Sequence, residues 1–236
     1  PLEKTKSFDA SFLTQYGGES GLSSERIAQE THSNGPVLDD KIIANPDFQQ
    51  ALSTEGVFDI TTDIINVDRA FGGRIGGAVA YKYGDNGFAG AMNITLNGSA
   101  GQSFGCFIVG GINIKLTGEA NDYVCKGMAG GEVSILPPAD LQANAAESVG
   151  VGNTALYGAT GGRLFVNGRG GERFSVRNSM ADAVIEGVGD HCCEYMTGGC
   201  VVVLGPVGRN VAAGMTGGLG YFYDEDESFA LSLIHI

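Results

Sequence analysis

Five stretches of the chain end on a glycine and superimpose without gaps: residues 93–98, 113–118, 163–168, 183–187 and 201–205. Gly98 and Gly118 stand 20 residues apart, Gly168 and Gly187 stand 19 apart, and Gly187 and Gly205 stand 18 apart. A period this short constrains the fold, because one such unit cannot bury an apolar face alone and must stack on its neighbours.

Two positions before the glycine come Leu96, Leu116, Val166, Ile185 and Val203, and four before it Ile94, Ile114, Leu164, Ala183 and Val201. Period-two apolar alternation is the pattern of a short strand with one buried face. The third position after the glycine holds Gly101, Asn121, Gly171, Asp190 and Gly208, types that tolerate positive φ, so a corner is expected there. Six positions after it, Phe104, Val124, Phe174, Cys193 and Val211 form a second inward column. Each unit therefore reads as strand, corner, strand, corner. Val133 and Ile135 before Pro137 give a weaker copy in phase, and Gly217-Gly218 begins a partial one. Paired glycines, as at Gly130-Gly131, Gly161-Gly162 and Gly198-Gly199, recur before strands.

Coils of 18–20 residues leave no room for a helix. The expected fold is all-β, a right-handed parallel β-helix whose hydrogen bonds run along the solenoid axis. An antiparallel sandwich is the alternative, but hairpins would not return one face at a fixed interval. The expected organisation is a partly helical lead-in over 1–88 that caps the solenoid, repeats over 89–228 with a loop insertion near 138–149, and a tail over 229–236. In the lead-in, residues 23–30 and Pro46 to Leu52 read as short helices and Ile60 to Val67 as a strand.

Net charge is −13 and no basic cluster occurs, which argues against a nucleic-acid partner. No apolar run reaches the ~20 residues of a membrane span. The first residue is not methionine and no targeting segment is visible, so the chain is expected to be incomplete at its start. Leu231 to Ile236 match what one frame of a sequencing-library transposon end would encode, and are expected to be a read-through artefact that gives His235 no role.

Candidate chemistry is sparse. His191-Cys192-Cys193 with Cys200 suggests a metal site, but the columns put Cys193 inside and Cys192 and Cys200 outside, and adjacent strand residues face opposite ways. Buried or surface thiols are the expected reading. The five cysteines have no paired spacing that would indicate a disulfide framework. The glycine runs lack the strand, GxGxxG and helix context of a nucleotide site. His32 and His191 read as polar structural residues. Arg163, Arg169, Arg173, Arg177 and Arg209 lie among acidic residues, as an ion-paired surface or as a docking face.

The run from Gly187 to Gly205 through His191-Cys192-Cys193-Glu194 resembles the C-terminal GXGXG-repeat domain of the glutamate synthase large subunit. So do Leu116 to Val124, Gly152 to Gly162, Gly171 to Ser179, His32 to Asp40 and Asn66 to Ala70. His191-Cys192-Cys193-Glu194, Gly84 to Gly90 and Val207 to Gly214 are most similar to the ferredoxin-dependent branch. Cys125 stands where that family usually has glycine, and the loop after Pro137 is unfamiliar.

The resemblance implies an enzyme that releases ammonia from glutamine, channels it internally and adds it to 2-oxoglutarate at an FMN site fed by an iron–sulfur cluster. It implies catalytic, cofactor-binding and metal residues in other modules and none in this segment. The segment would space the amidotransferase and FMN-binding domains of the same polypeptide, with ferredoxin docking elsewhere. A stand-alone subunit of a multi-subunit synthase, or an independent metal protein using the cysteines, are the alternatives. The resemblance further implies the plastid stroma for an algal or plant source, or the cytoplasm for a cyanobacterial one.

Overall fold

A computed structural model describes residues 35–225, with Phe8, Asp9, Ser11, Glu227 and Phe229. The expectations for residues 23–30, His32 and Leu231 to Ile236 lie outside the described residues. The chain divides into a unit over residues 1–35 and one over 36–236, and the architecture below is that of the second.

Two short helices come first, α1 (Leu38–Ile43) and α2 (Pro46–Thr54). The Asn45 side chain caps α2 by accepting from the Asp47 N–H at 2.9 Å, and Pro46 fits the first turn because its missing N–H would have no helical partner. Glu55 ends the helix in the left-handed region at φ 53°. The buried face of α2 is Phe48, Ala51 and Leu52, and the Phe48 ring meets Phe58 edge-on at 5.4 Å. Strand β1 (Val57–Ile64) follows, three residues earlier than the apolar run suggested.

Helix α3 (Gly73–Tyr83) was not expected, since its three glycines are poor helix formers. Tertiary contact overrides propensity here. A Cβ on Gly76 would sit 2.6 Å from the Phe107 carbonyl oxygen, so glycine lets the helix lie against the repeats. Ile75 and Val79 bury on the same side.

The remaining strands are β2 (Ala91–Ala100), β3 (Ile112–Ala120), β4 (Ala129–Leu136), β5 (Val149–Val151), β6 (Gly161–Gly170), β7 (Asp182–Gly187), β8 (Thr197–Val203) and β9 (Gly217–Phe222). All pair in parallel in one nine-stranded sheet of order β1-β2-β3-β4-β6-β7-β8-β9, with β5 joining β3 and β6 off that path. The register follows the glycine columns: Ile94 pairs Ile114, Leu96 pairs Leu116 and Gly98 pairs Gly118. Every residue of the two strand columns is buried, as are Phe104, Val124, Phe174, Cys193 and Val211. Each large apolar side chain buried this way contributes roughly 1.5–3 kcal/mol.

The fold nevertheless differs from the expected right-handed parallel β-helix. The structure is a single parallel sheet with a few helices, not an all-β solenoid with strands on several faces. Only one strand forms per repeat, apart from the repeat that β4 and the short β5 share. The segment holding the second inward column is a run of turns in which every other residue has positive φ: Ser103, Gly105 and Phe107; Tyr123, Cys125 and Gly127; Arg173, Ser175 and Arg177; His191, Cys193 and Tyr195. Alternating hand prevents a strand, yet the turns still hydrogen-bond between repeats. Tyr123 N–H donates forward to Asn153 O at 2.8 Å, whereas Cys125 N–H donates back to Phe104 O at 2.8 Å. The residue six after each glycine reads as inward for either backbone, although in the turns its neighbour is buried too, as at Val124-Cys125 and Phe174-Ser175.

Positive φ disfavours an L-residue with a Cβ by about 1–2 kcal/mol. Cys125 takes φ 56°, a conformation that glycine would adopt without that cost. Arg177→Gly removes that strain at an exposed site with φ 57° while keeping the Arg177 N–H bond to Glu194 O. Urea unfolding is expected to show a gain of about 0.5–1 kcal/mol, since glycine's extra unfolded-state entropy offsets part of the relief.

The expected corner column is also corrected. Gly101, Asn121, Gly171, Asp190 and Gly208 have no positive φ. The glycines among them serve close approach instead: the Asn153 Oδ1 that accepts from Glu172 N–H at 2.9 Å lies where a Cβ of Gly171 would be, and Asp190 Oδ1, accepting from Arg209 N–H at 2.7 Å, lies where one of Gly208 would be. In the glycine pairs the first member meets close approach alone and the second meets both demands. A Cβ on Gly161 would approach Ala129 O to 2.7 Å, whereas Gly162 combines φ 92° with an approach of 2.9 Å to Gly130 O.

Candidate functional site

The outward face of the sheet is where the strands present side chains side by side. A polar ladder begins it: Asn93 Nδ2 donates to Asp59 Oδ1 at 3.0 Å, and Asn113 Nδ2 donates to Asn93 Oδ1 at 2.9 Å. The same row continues into the Glu132–Arg163 ion pair at 3.1 Å. Beside it runs an open trough of about 570 Å³, with Thr95, Lys115, Ser134 and Phe165 along its floor. A second hollow of about 500 Å³ lies under the 138–149 loop, between Leu141 and Val149 and the strand ends at Gly98 and Gly118. These hollows offer hydrogen-bonding and apolar surface, and no paired acid and base that would point to catalysis.

The cysteines lie differently from their expected columns. Cys193 is buried, but so is Cys192, with its Sγ 3.6 Å from Cys193 Sγ. Two causes combine. The segment is a turn with Cys193 at φ 58°, so neighbours need not face opposite ways, and an irregularity between Val166 and Arg169 shifts the register of β6 against β7 by one residue. Cys192 consequently takes the place over Phe174 that the glycine count assigned to Cys193. Cys200 faces outward between Asp182 and Leu219 and is half-buried.

Reactive thiols need access and a depressed pKa. Contact with Cys193, then burial, pushes the Cys192 thiol well up, and burial pushes Cys125 and Cys106 up as well. Among the described residues, no three His, Cys, Asp or Glu side chains gather so as to hold a metal ion. His191 Nδ1 lies 3.5 Å from Glu194 Oε1 and is buried without a hydrogen bond, as is Ser175 Oγ.

The five arginines do not form one patch. Arg163 pairs on the sheet face, Arg209 Nε lies 4.0 Å from Asp190, and Arg169 Nε ties down the loop through Ala146 O at 2.6 Å. Arg173 and Arg177 are exposed on the turns.

Two buried polar residues stood out in no sequence pattern. Asp39 accepts from the N–H groups of Gly72 at 2.8 Å and Arg74 at 3.3 Å, supplying the cap that the αL Gly72 at the start of α3 lacks. Asn178, in an apolar column, both donates to Ala181 O and accepts from Ala181 N–H, each at 2.9 Å. Asn178→Ala would leave those two backbone groups buried and unpaired, and thermal or urea unfolding is expected to show a loss of roughly 2 kcal/mol.

Comparison with known proteins gives this geometry its context. Residues 39–234 match the family described as GXGXG motif. The chain is 60% identical over 228 residues to ferredoxin-dependent glutamate synthase 1, chloroplastic/mitochondrial, of Arabidopsis thaliana, covering 96% of this chain and 14% of that protein. It is 58% identical over 228 residues to the chloroplastic enzyme of Spinacia oleracea, at 96% and 14% coverage. Against ferredoxin-dependent glutamate synthase 2 of Synechocystis it is 59% identical over 197 residues, covering 84% of this chain and 13% of the relative. The chain thus spans about one-seventh of the length of these relatives. At that identity, and with the motif family matched over most of its length, the chain belongs to the GXGXG-motif family, as a domain of the glutamate synthase kind.

Proposed function

We propose that this chain is the spacer domain of a ferredoxin-dependent glutamate synthase, the enzyme that turns glutamine and 2-oxoglutarate into two glutamates. The observation that carries the reading is identity of 58–60% across 96% of the chain, within relatives of which it forms 14%. Glutaminase, FMN and iron–sulfur chemistry belong to the other parts of the polypeptide, and ferredoxin docks there too. On this reading the domain itself carries no catalytic, cofactor-binding or metal residue, and its buried thiols, their pKa values raised, act as core side chains. The chloroplastic and cyanobacterial relatives favour a plastid stroma in a plant or alga, or the cytoplasm in a cyanobacterium. No helix among the described residues is long and apolar enough to cross a membrane.

A spacer contributes by rigidity. A continuous parallel ladder resists bending, so the modules seated on it keep the separation that an ammonia path requires. Two measurements on the full-length enzyme test the proposal. With Cys106, Cys125, Cys192, Cys193 and Cys200 each replaced by alanine in turn, FMN and iron content should stay unchanged, and loss of either would place a cofactor group here. When the domain is destabilised by Asn178→Ala near its melting temperature, glutamine should be hydrolysed in excess of glutamate formed. Coupling that stays stoichiometric after the domain has unfolded would sink the spacer role.

A further inference from the structure

One row of outward side chains changes character along the sheet. In register it reads Thr61, Thr95, Lys115 and Ser134 over β1 to β4, then Phe165, Val184, Val202 and Tyr221 over β6 to β9. Flanking rows add Leu204, Leu219 and Tyr223 to the second half, each about half exposed. Parallel neighbours stand ~4.8 Å apart, so these side chains form one continuous apolar surface and not scattered contacts. The turn from polar to apolar is abrupt at β6, although the backbone on both sides of it is the same ladder. A row that faced water throughout would have no reason to change.

The rim of the apolar half is acidic. Asp182 and Glu186 edge it on β7, and Asp224 and Glu225 follow β9. None of these four is in an ion pair among the described residues; Arg163, in register with Asp182, is paired with Glu132, and Arg169, beside Gly187, donates to Ala146 O. An apolar centre with uncompensated acids around it fits a segment that is apolar on one face and carries lysine or arginine at its flanks.

We propose that the β6–β9 half of the outward face seats such a segment from the remaining polypeptide of the full-length protein. The inference rests on the reading of the chain as one domain of a larger synthase, in which this stretch makes up 14% of the relatives' length. The polar half over β1–β4 stays wet, and the trough at Phe165 marks the border between the two.

The test uses the full-length enzyme carrying Tyr221→Cys or Tyr223→Cys, both on the surface, where folding is not at stake. Maleimide labelling at each new cysteine, followed by mass spectrometry of its peptide, should run at least tenfold slower in the native enzyme than in urea. Any smaller protection means the face is free and overturns the proposal. A photo-crosslinking benzoylphenylalanine in place of Tyr221 should join to a peptide outside these 236 residues in the same chain, with apolar residues flanked by lysine or arginine. Joining to a second copy, to these 236 residues or to an acidic segment overturns it as well. Glutamine- and ferredoxin-dependent glutamate formation by the same preparations reports separately on the parent reading. A free face with activity intact rejects the docking site alone.

Discussion

Gly118→Ala is expected to destabilise the domain by about 4 kcal/mol or more, or to prevent its folding, an effect at the far end of what single substitutions do. Gly118 pairs with Gly98 in the ladder, and an alanine Cβ at 118 would overlap the Gly98 carbonyl oxygen. That oxygen is backbone, so it cannot swing away as a side chain would, and the φ of 148° already lies where side chains are rare. Relief requires the strands to part, which breaks the stacking that closes the core over Leu96 and Leu116. Gly77→Ala is the matched control. It stands exposed in the middle of α3 with open space around it, so alanine should stabilise by about 1 kcal/mol through helix propensity. Urea unfolding of the two variants should therefore move in opposite directions, and a Gly118→Ala midpoint equal to wild type would show that the ladder can relax.

The second large effect is on pH. Asp39 is raised from 3.8 to about 6, chiefly because burial penalises the charged carboxylate more than the Gly72 and Arg74 N–H bonds favour it. Between those values the folded state holds a proton that the unfolded state has released, so stability falls as pH rises through this window. The full difference amounts to roughly 3 kcal/mol, present below pH 4 and gone above about pH 6. Asp39→Asn cannot titrate, yet its Oδ1 can still accept from Gly72. Subtracting its unfolding free energy from that of the wild type at pH 4, 5, 6 and 7 should isolate a downward slope confined to pH 4–6. A flat difference would mean that the carboxyl is wetter than its 3% exposure indicates.

The sequence alone supported the repeat, the buried strand columns, the capped α2 at Asn45-Pro46 and the family. It did not support the shape. Phe104, Val124 and Phe174 sit in the sequence where the inward residues of a second strand would, and the positive φ at Tyr123, Cys125, Arg173 and Ser175 leaves no trace in residue types that elsewhere avoid it. The energy that holds them there comes from hydrogen bonds to neighbouring repeats, which no local pattern displays. Cys192 was misplaced for a related reason, since counting from glycines assumes equal spacing and the irregularity between Val166 and Arg169 spends one residue. Helix α3 was hidden by glycines chosen for contact with Phe107 and not for propensity. The β6–β9 surface was visible as Phe165, Val184, Val202 and Tyr221, but only the register shows that they form one row.

The turn runs have one more consequence, which concerns mirror-image chemistry. At Leu156, Cys193 and Ala212 the backbone sits near φ 57–58°, the left-handed region, which is as relaxed for a D-amino acid as the right-handed helical region is for an L one. A domain assembled by chemical ligation with D-alanine at 212 would find its backbone relaxed where the natural L-residue is held under tension. Every repeat is in this sense written partly in the other hand, and glycine, belonging to neither, is the residue through which the chain changes between them.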